Sequence, residues 1–367
     1  MSDTLHLLRE RGQSLWLDQV SRELLTDGAL AYYIRVLGVS GLTSNPTLFE
    51  HALGHGCAYD DDIVRLARHG DTVEALFFRL ALQDLRAAAD ELQPSFEESG
   101  GLDGWASLAV SPLLAHNAAR TIQAAAALHD AANRDNLFIQ IPGTAVGMEA
   151  VEESIFAGIP VNVTLLFSSE HYLAASRAYA RGIERRLIAG LSPRVACVTS
   201  LFVSRWDPVV KRRLPLGPQQ RLGLAMAKRT YRAHVELLAS PRWQALASAG
   251  ARPQRLLWAS SGGNDSAAAD TFYIQSLMAP GTISAIPEAT LLALAEHGEL
   301  GPPLPGDGGD AEIVIAEFKR AGLDDGVVAA RLQRDETDAY ADSWHALMLH
   351  MAPRLVPRLF SRTTLNK

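Results

Sequence analysis

Alternating strand and helix signals over 367 residues predict an α/β protein with a parallel sheet. Eight strand candidates favour closure of that sheet into a (β/α)8 barrel, the TIM-barrel architecture, with additional helices. The third observation is the stretch Asn136 to Phe167, which reads as strand, helix, strand. Leu137 to Ile141 is an apolar run broken only by Gln140 and ended by Pro142-Gly143. Met148 to Ala157 carries apolar residues at helical spacing, and Val161 to Phe167 is the next strand. Parallel strands covered by helices read as near-continuous apolar runs, so Gln140, Asn162 and Thr164 inside these runs need a reason. In a barrel they point inward, where chemistry sits at the carboxyl ends of the strands.

The other elements follow in order. Leu15 to Asp18 is the first strand, Val39 to Asn45 the second and Trp105 to Pro112 the third. The sixth runs from Arg194 to Arg205, the seventh from Leu256 to Ser261 and the eighth from Ile283 to Ile286. Helical periodicity covers Val73 to Leu92, Leu113 to Ala132, Glu170 to Ala189 and Gln219 to Leu238. Pro302 to Gly309 is a turn-rich link into a helical tail, Ala311 to Leu359, within a C-terminal extension of about residues 311–367. The tail is expected to pack on the outside of the barrel. No internal repeat of about 20 to 50 residues is present, and a single domain is expected.

With 48% apolar and 20% charged residues the chain can bury a large core. A formal charge of −7 without a long basic block argues against nucleic acid as the main partner. The two cysteines, Cys57 and Cys197, make no disulfide framework, the N-terminus lacks signal-peptide features, and no run of about 18 apolar residues suggests a membrane span. A cytoplasmic protein acting on small molecules is expected. His51, His55 and Cys57 superficially have metal-ligand spacing, but no metal is expected there. Gly262-Gly263 reads as a turn, and no complete dinucleotide or phosphate-loop fingerprint exists, so no cofactor is expected.

The segments SLWLDQVSRELL, GVSGLTSNPTLFEHAL, NLFIQIPGTAVGMEAVEESIFAGIPVNVTLLF, SLFVSRWD, LLWASSGGN and DTFYIQSLMAPGTISAIPEATL occur in an order and spacing that resemble transaldolases. The resemblance runs from about Ser14 to Ser343. It implies that Asp18 is an acid/base carboxylate, that Thr43 and Asn45 hold substrate hydroxyls, and that Asn162 and Thr164 line the site, with Thr164 helping to position water. It further implies that Ser200 and Phe202 line the pocket, that Arg205 binds a sugar phosphate, and that Ser260 and Ser261 also reach phosphate. The residues themselves leave simpler readings open. Asp18 can be a helix cap or an Arg22 partner, Ser44-Asn45-Pro46 a turn, Thr164 a satisfied core hydroxyl, and Arg205 an ion pair with Asp207.

Three departures matter as much as the matches. The frame Ile141-Pro142-Gly143-Thr144 resembles the segment after the family's Schiff-base lysine, but Gln140 stands at the lysine position and cannot form an imine. Ala109 stands where the resemblance implies a glutamate, and Asn264 where it implies a basic residue. Of the four lysines, Lys211, Lys228, Lys319 and Lys367, none is expected on a strand facing the barrel interior. Three changes together are natural divergence rather than an engineered knockout of one lysine. The expected function is therefore imine-free acid/base chemistry on a sugar, sugar phosphate or sugar-like metabolite in specialised metabolism. Asp18 would be the acid/base and Gln140 a donor to a carbonyl oxygen. The alternatives are a non-catalytic sugar-phosphate binder or partner-regulating protein, and a residual transaldolase.

Overall fold

The computed structural model describes residues 3–44, 49, 58–67, 71–213, 220–259 and 270–355. The expectations at Asn45, His51, His55, Cys57, Ser260, Ser261, Asn264 and Lys367 lie outside these residues. Eight parallel strands form one sheet: β1 Ser14–Leu17, β2 Val39–Leu42, β3 Ala106–Ala109, β4 Leu137–Pro142, β5 Val161–Leu166, β6 Cys197–Phe202, β7 Arg255–Ala259 and β8 Ile283–Ile286. Their order, β2-β1-β8-β7-β6-β5-β4-β3, leaves β2 and β3 at the two edges. A parallel bridge between Gly41 and Trp105 joins those edges, with Leu42 N donating to Trp105 O at 2.9 Å. This is the (β/α)8 barrel that the strand count favours.

Period-two alternation divides each strand between two cores. Leu15, Leu17, Ile139, Ile141, Val161, Val163, Leu256 and Trp258 pack outward in the layer beneath the helices. Trp16, Phe138, Val198, Leu257 and Ile283 face the barrel interior. At the amino end this interior is aromatic, with Trp105 and Phe138 stacked at 4.0 Å and Trp16 6.1 Å from Phe138. Gly41 follows from that packing, because a Cβ there would lie 2.4 Å from the Trp16 ring. Higher in the barrel the inward positions become polar, and this change places the site.

Helices Val73–Glu98, Ala118–Ala132, Gly147–Ala157, Ser169–Ile188 and Arg221–Ala239 cover the outside. Several boundaries differ from the sequence reading, each for a local reason. β3 ends at Ala109, and Pro112 opens a short 3-10 turn through Leu114. The next helix starts only at Ala118, where the Asn117 side chain accepts from Arg120 N at 3.0 Å. β6 ends at Phe202 because Val203 enters a helical conformation, so Arg205 sits in the 3-10 turn Ser204–Trp206 rather than on the strand.

The tail differs more. Helix Ala311–Arg320 does lie outside the barrel, with Lys228 paired to Asp310 and Arg229 to Asp325, both at 2.6 Å. Gly322, at φ +90°, then reverses the chain, as glycine allows. The C-terminal helix Asp325–Leu355 is not confined to the outside: its first half crosses the carboxyl end of the barrel. Gln333 Nε2 donates there to Gly143 O and Leu165 O, both at 2.9 Å. Farther along, Trp344 packs edge-on against Phe77 at 4.9 Å on the outer helix. Among the described residues no helix is long and apolar enough to cross a membrane.

Candidate active site at the carboxyl end of the barrel

Asp18 and Thr43 sit just past the ends of β1 and β2, each fixed by its backbone. Asp18 N donates to Ile286 O at 3.1 Å, and Thr43 N to Leu17 O at 2.8 Å. Both side chains reach a cavity of about 110 Å³ at the barrel mouth, joined there by Gln140, Asn162, Thr164, Ser200, Phe202 and Arg205. Eight of the eleven residues singled out by sequence therefore share one space; Asn45, Ser260 and Ser261 fall outside the described residues.

Asp18 plays neither of its simpler roles. Ser21, accepting from Leu24 N at 3.2 Å, caps the following helix. Arg22 pairs instead with Asp84, at 2.5 Å, and with Asp62. Burial pushes the Asp18 carboxyl from 3.8 up to about 6, opposed in part by its own backbone N–H. A carboxyl poised there exchanges protons near neutrality.

The floor of the cavity is a polar network across β3 to β6. Ser200 Oγ donates to Asn162 Oδ1 at 2.7 Å, and Asn162 Nδ2 donates to Ser107 Oγ at 3.2 Å. Gln140 lies beside Asn162 in the sheet register and between Ser44 and Ser107. Its Nε2 donates to Ser44 O at 3.0 Å and to Ser107 O at 3.3 Å. Two carbonyl acceptors fix the amide orientation and use both of its hydrogens. The expected donation from Gln140 to a substrate carbonyl is thus not what the geometry offers; Oε1, an acceptor, is the part of the amide left for a ligand. Among the described residues no hydrogen bond reaches the Thr164 hydroxyl, and the residue lines the cavity. Just after it, Leu165 adopts φ +60°, an unusual conformation for a buried non-glycine residue, where the β5–β6 register also shifts.

Arg205 does not pair with Asp207, which accepts from the Tyr273 hydroxyl. Its Nε lies 2.7 Å from Oε1 of Glu336, which comes from the C-terminal helix. Burial raises the Glu336 carboxyl and the Arg205 charge opposes that rise. Tyr340, one turn later, lines the same cavity. Sequence reasoning missed Ser107, Glu336 and Tyr340. Ser107 was readable as a polar residue two before Ala109 in an apolar strand. The polar positions Gln333, Glu336, Thr337 and Tyr340, spaced i, i+3, i+4 and i+7, signal one helix face turned toward something polar.

The described lysines are elsewhere. Lys211 is exposed on Asp207–Arg213, Lys228 pairs with Asp310, and Lys319 pairs with Asp324 at 3.1 Å. A larger cavity of about 750 Å³ opens at the amino end around Gln13 and Arg255, away from the strand ends where barrel chemistry is found. Arg255 spends its donors there on Asp103, Ser14 and the carbonyls of Leu102, Gly281 and Thr282.

Comparison with known proteins agrees with this architecture. The family described as Transaldolase/Fructose-6-phosphate aldolase matches residues 15–351. A protein named Transaldolase from Thiobacillus denitrificans is 44% identical over 345 residues, covering 92% of this chain and 96% of its own. Another from Thermobifida fusca is 40% identical over 364 residues, covering 97% and 99%. A third, from Parafrankia, is 40% identical over 357 residues, covering 95% and 97%. An eight-stranded barrel with these matches along nearly its whole length belongs to the transaldolase/fructose-6-phosphate aldolase family.

Proposed function

We propose that the protein binds a sugar, sugar phosphate or sugar-like metabolite at the barrel mouth and acts on it by proton transfer without an imine. The observation that carries this reading is the Asp18 carboxyl, raised to about 6, in a hydroxyl- and amide-lined cavity that none of the described lysines lines. An imine needs an amine beside the substrate carbonyl, and Gln140 stands where the resemblance puts that amine. Asp18 is assigned as acid and base, and Thr164 as the hydroxyl that positions water. Thr43, Asn162 and Ser200 hold ligand hydroxyls, Phe202 meets the carbon face, and Arg205 is the one arginine on the cavity wall among the described residues. Asn45, Ser260 and Ser261 are assigned to ligand binding on the resemblance alone. Normal transaldolase turnover is not expected. A role in specialised metabolism, in a cytoplasmic setting, fits a chain that keeps the pocket but not the amine.

A second reading, a non-catalytic carbohydrate binder, is favoured by Gln140. With both amide hydrogens committed to backbone carbonyls, that residue offers no donor to a developing oxyanion.

Calorimetric titration with fructose 6-phosphate, sedoheptulose 7-phosphate and their unphosphorylated counterparts tests the shared premise. Ligand binding that is lost in Arg205→Ala and kept in Asp18→Asn is expected, and binding of none of the sugars overturns it. Deuterium uptake from solvent at the carbon beside the carbonyl, abolished in Asp18→Asn, separates the enzyme from the binder.

A further inference from the structure

The C-terminal helix turns a single stripe toward the barrel mouth. Gln333 ties it to Gly143 O and Leu165 O, Thr337 is buried with its hydroxyl on Gln333 O at 2.6 Å, and Tyr340 lines the cavity. Glu336 lies on the same stripe and meets Arg205. Gln333, three residues earlier, holds this part of the helix, and with it the Glu336 backbone, over the barrel mouth. Glu336 is 15% exposed and Arg205 36%, so the pair is only partly screened by solvent.

This arrangement has a consequence for charge. Among the described residues, the carboxyls at the mouth are Asp18, which lines the cavity, and Glu336, which meets Arg205, and the cation there is Arg205. A phosphate dianion would meet an arginine already neutralised and two carboxyls beside it. Bound through the Nη groups of Arg205 it would lie beside the Glu336 carboxylate, and by drawing the guanidinium away it would leave that carboxylate, 15% exposed, without its partner; either is costly. Uncharged hydroxyls meet no such penalty, since Thr43, Ser44, Asn162, Thr164 and Ser200 supply neutral donors and acceptors around the same space.

We propose that Glu336 is a specificity-determining residue that makes this pocket select uncharged polyols and reject phosphate esters. The proposal rests on the carbohydrate reading above for its ligand class, but its charge mechanism can be tested apart from it. The opposite role, in which Glu336 holds the arginine ready for an anion, predicts the opposite sign.

Calorimetry on the full chain decides, using fructose, fructose 6-phosphate and inorganic phosphate as probes. The wild type is expected to bind fructose at least as tightly as fructose 6-phosphate. Glu336→Gln, which keeps the side chain's shape, is expected to tighten fructose 6-phosphate and inorganic phosphate by roughly tenfold, the scale of removing one nearby like charge. Fructose affinity should move by less than about twofold, a change worth under half a kcal/mol. Adding Arg205→Ala should cancel the gain. If no sugar binds any variant while phosphate binding rises in Glu336→Gln, the carbohydrate reading falls and the charge role of Glu336 stands. A wild type that prefers fructose 6-phosphate by tenfold, or a Glu336→Gln variant whose phosphate binding is unchanged or weaker, overturns the proposal. The wild-type comparison needs no variant to fold.

Discussion

Ser200 Oγ donates to Asn162 Oδ1 at 2.7 Å, joining β6 to β5 beneath the candidate site. Both residues are buried, as is Ser107, which accepts from the other end of the Asn162 amide. Removing one member leaves a buried polar group without its partner. Ser200→Ala is therefore expected to destabilise the protein by about 1–3 kcal/mol in urea unfolding, more than an isolated hydrogen bond contributes. A Ser200→Ala and Asn162→Ala double-mutant cycle should show coupling of about 0.5 kcal/mol or more, and additive effects would disprove the pairing.

Asp18 gives a pH signature with a definite sign. Its folded pKa, about 6, lies above the ordinary carboxyl value of 3.8. Below both values the group is protonated in folded and unfolded chains and contributes nothing. As pH rises from about 4 to 6 the unfolded chain ionises first, so stability falls, levelling above 6 at a cost on the order of 3 kcal/mol. Asp18→Asn removes that ionisation. It is expected to raise the unfolding temperature at pH 7.5, with no gain at pH 4, while abolishing proton exchange into a bound sugar. A Tm gain that is equal at both pH values would refute the burial account.

Gln140 predicts the outcome of a trapping experiment. With a ketose and borohydride, the wild type should form no covalent adduct by mass spectrometry, because the described lysines lie away from the mouth. Gln140→Lys puts an amine at the centre of the site and is expected to give one adduct per chain. That variant also breaks two hydrogen bonds to backbone carbonyls, so a loss of about 1–3 kcal/mol should accompany it. An adduct on the wild type would sink the imine-free reading.

These residues also show which parts of the protein were readable in its sequence. Asn162 and Thr164, two apart in an apolar strand, had to share a face, and both line the cavity. β8 runs over Ile283–Ile286, as its apolar run between turn residues indicates. The direction of the Gln140 amide was not readable, because it depends on the carbonyls of Ser44, just past β2, and Ser107 in β3, the first 96 residues away. Nor was the path of the C-terminal helix, whose periodicity defines a face but not what that face meets. Gln333 finds Gly143 from 190 residues along the chain.

That helix is held at two places of different chemistry, and the apolar one should dominate. Trp344, 2% exposed, meets Phe77 at 4.9 Å and Phe78 at 5.6 Å. Trp344→Ala removes a large buried side chain and is expected to cost about 3–5 kcal/mol. Gln333→Ala removes one amide shared by two carbonyls and is expected to cost about 1–2 kcal/mol. If the helix is a wall of the site, both variants should speed proteolytic cleavage within Asp325–Leu355 and weaken sugar binding, because Tyr340, which lines the cavity, lies between the two anchors. Trp344 itself does not line the cavity, so weaker binding in Trp344→Ala has to act through the helix. Undiminished affinity in a variant whose helix is cleaved would show that the barrel mouth works without it.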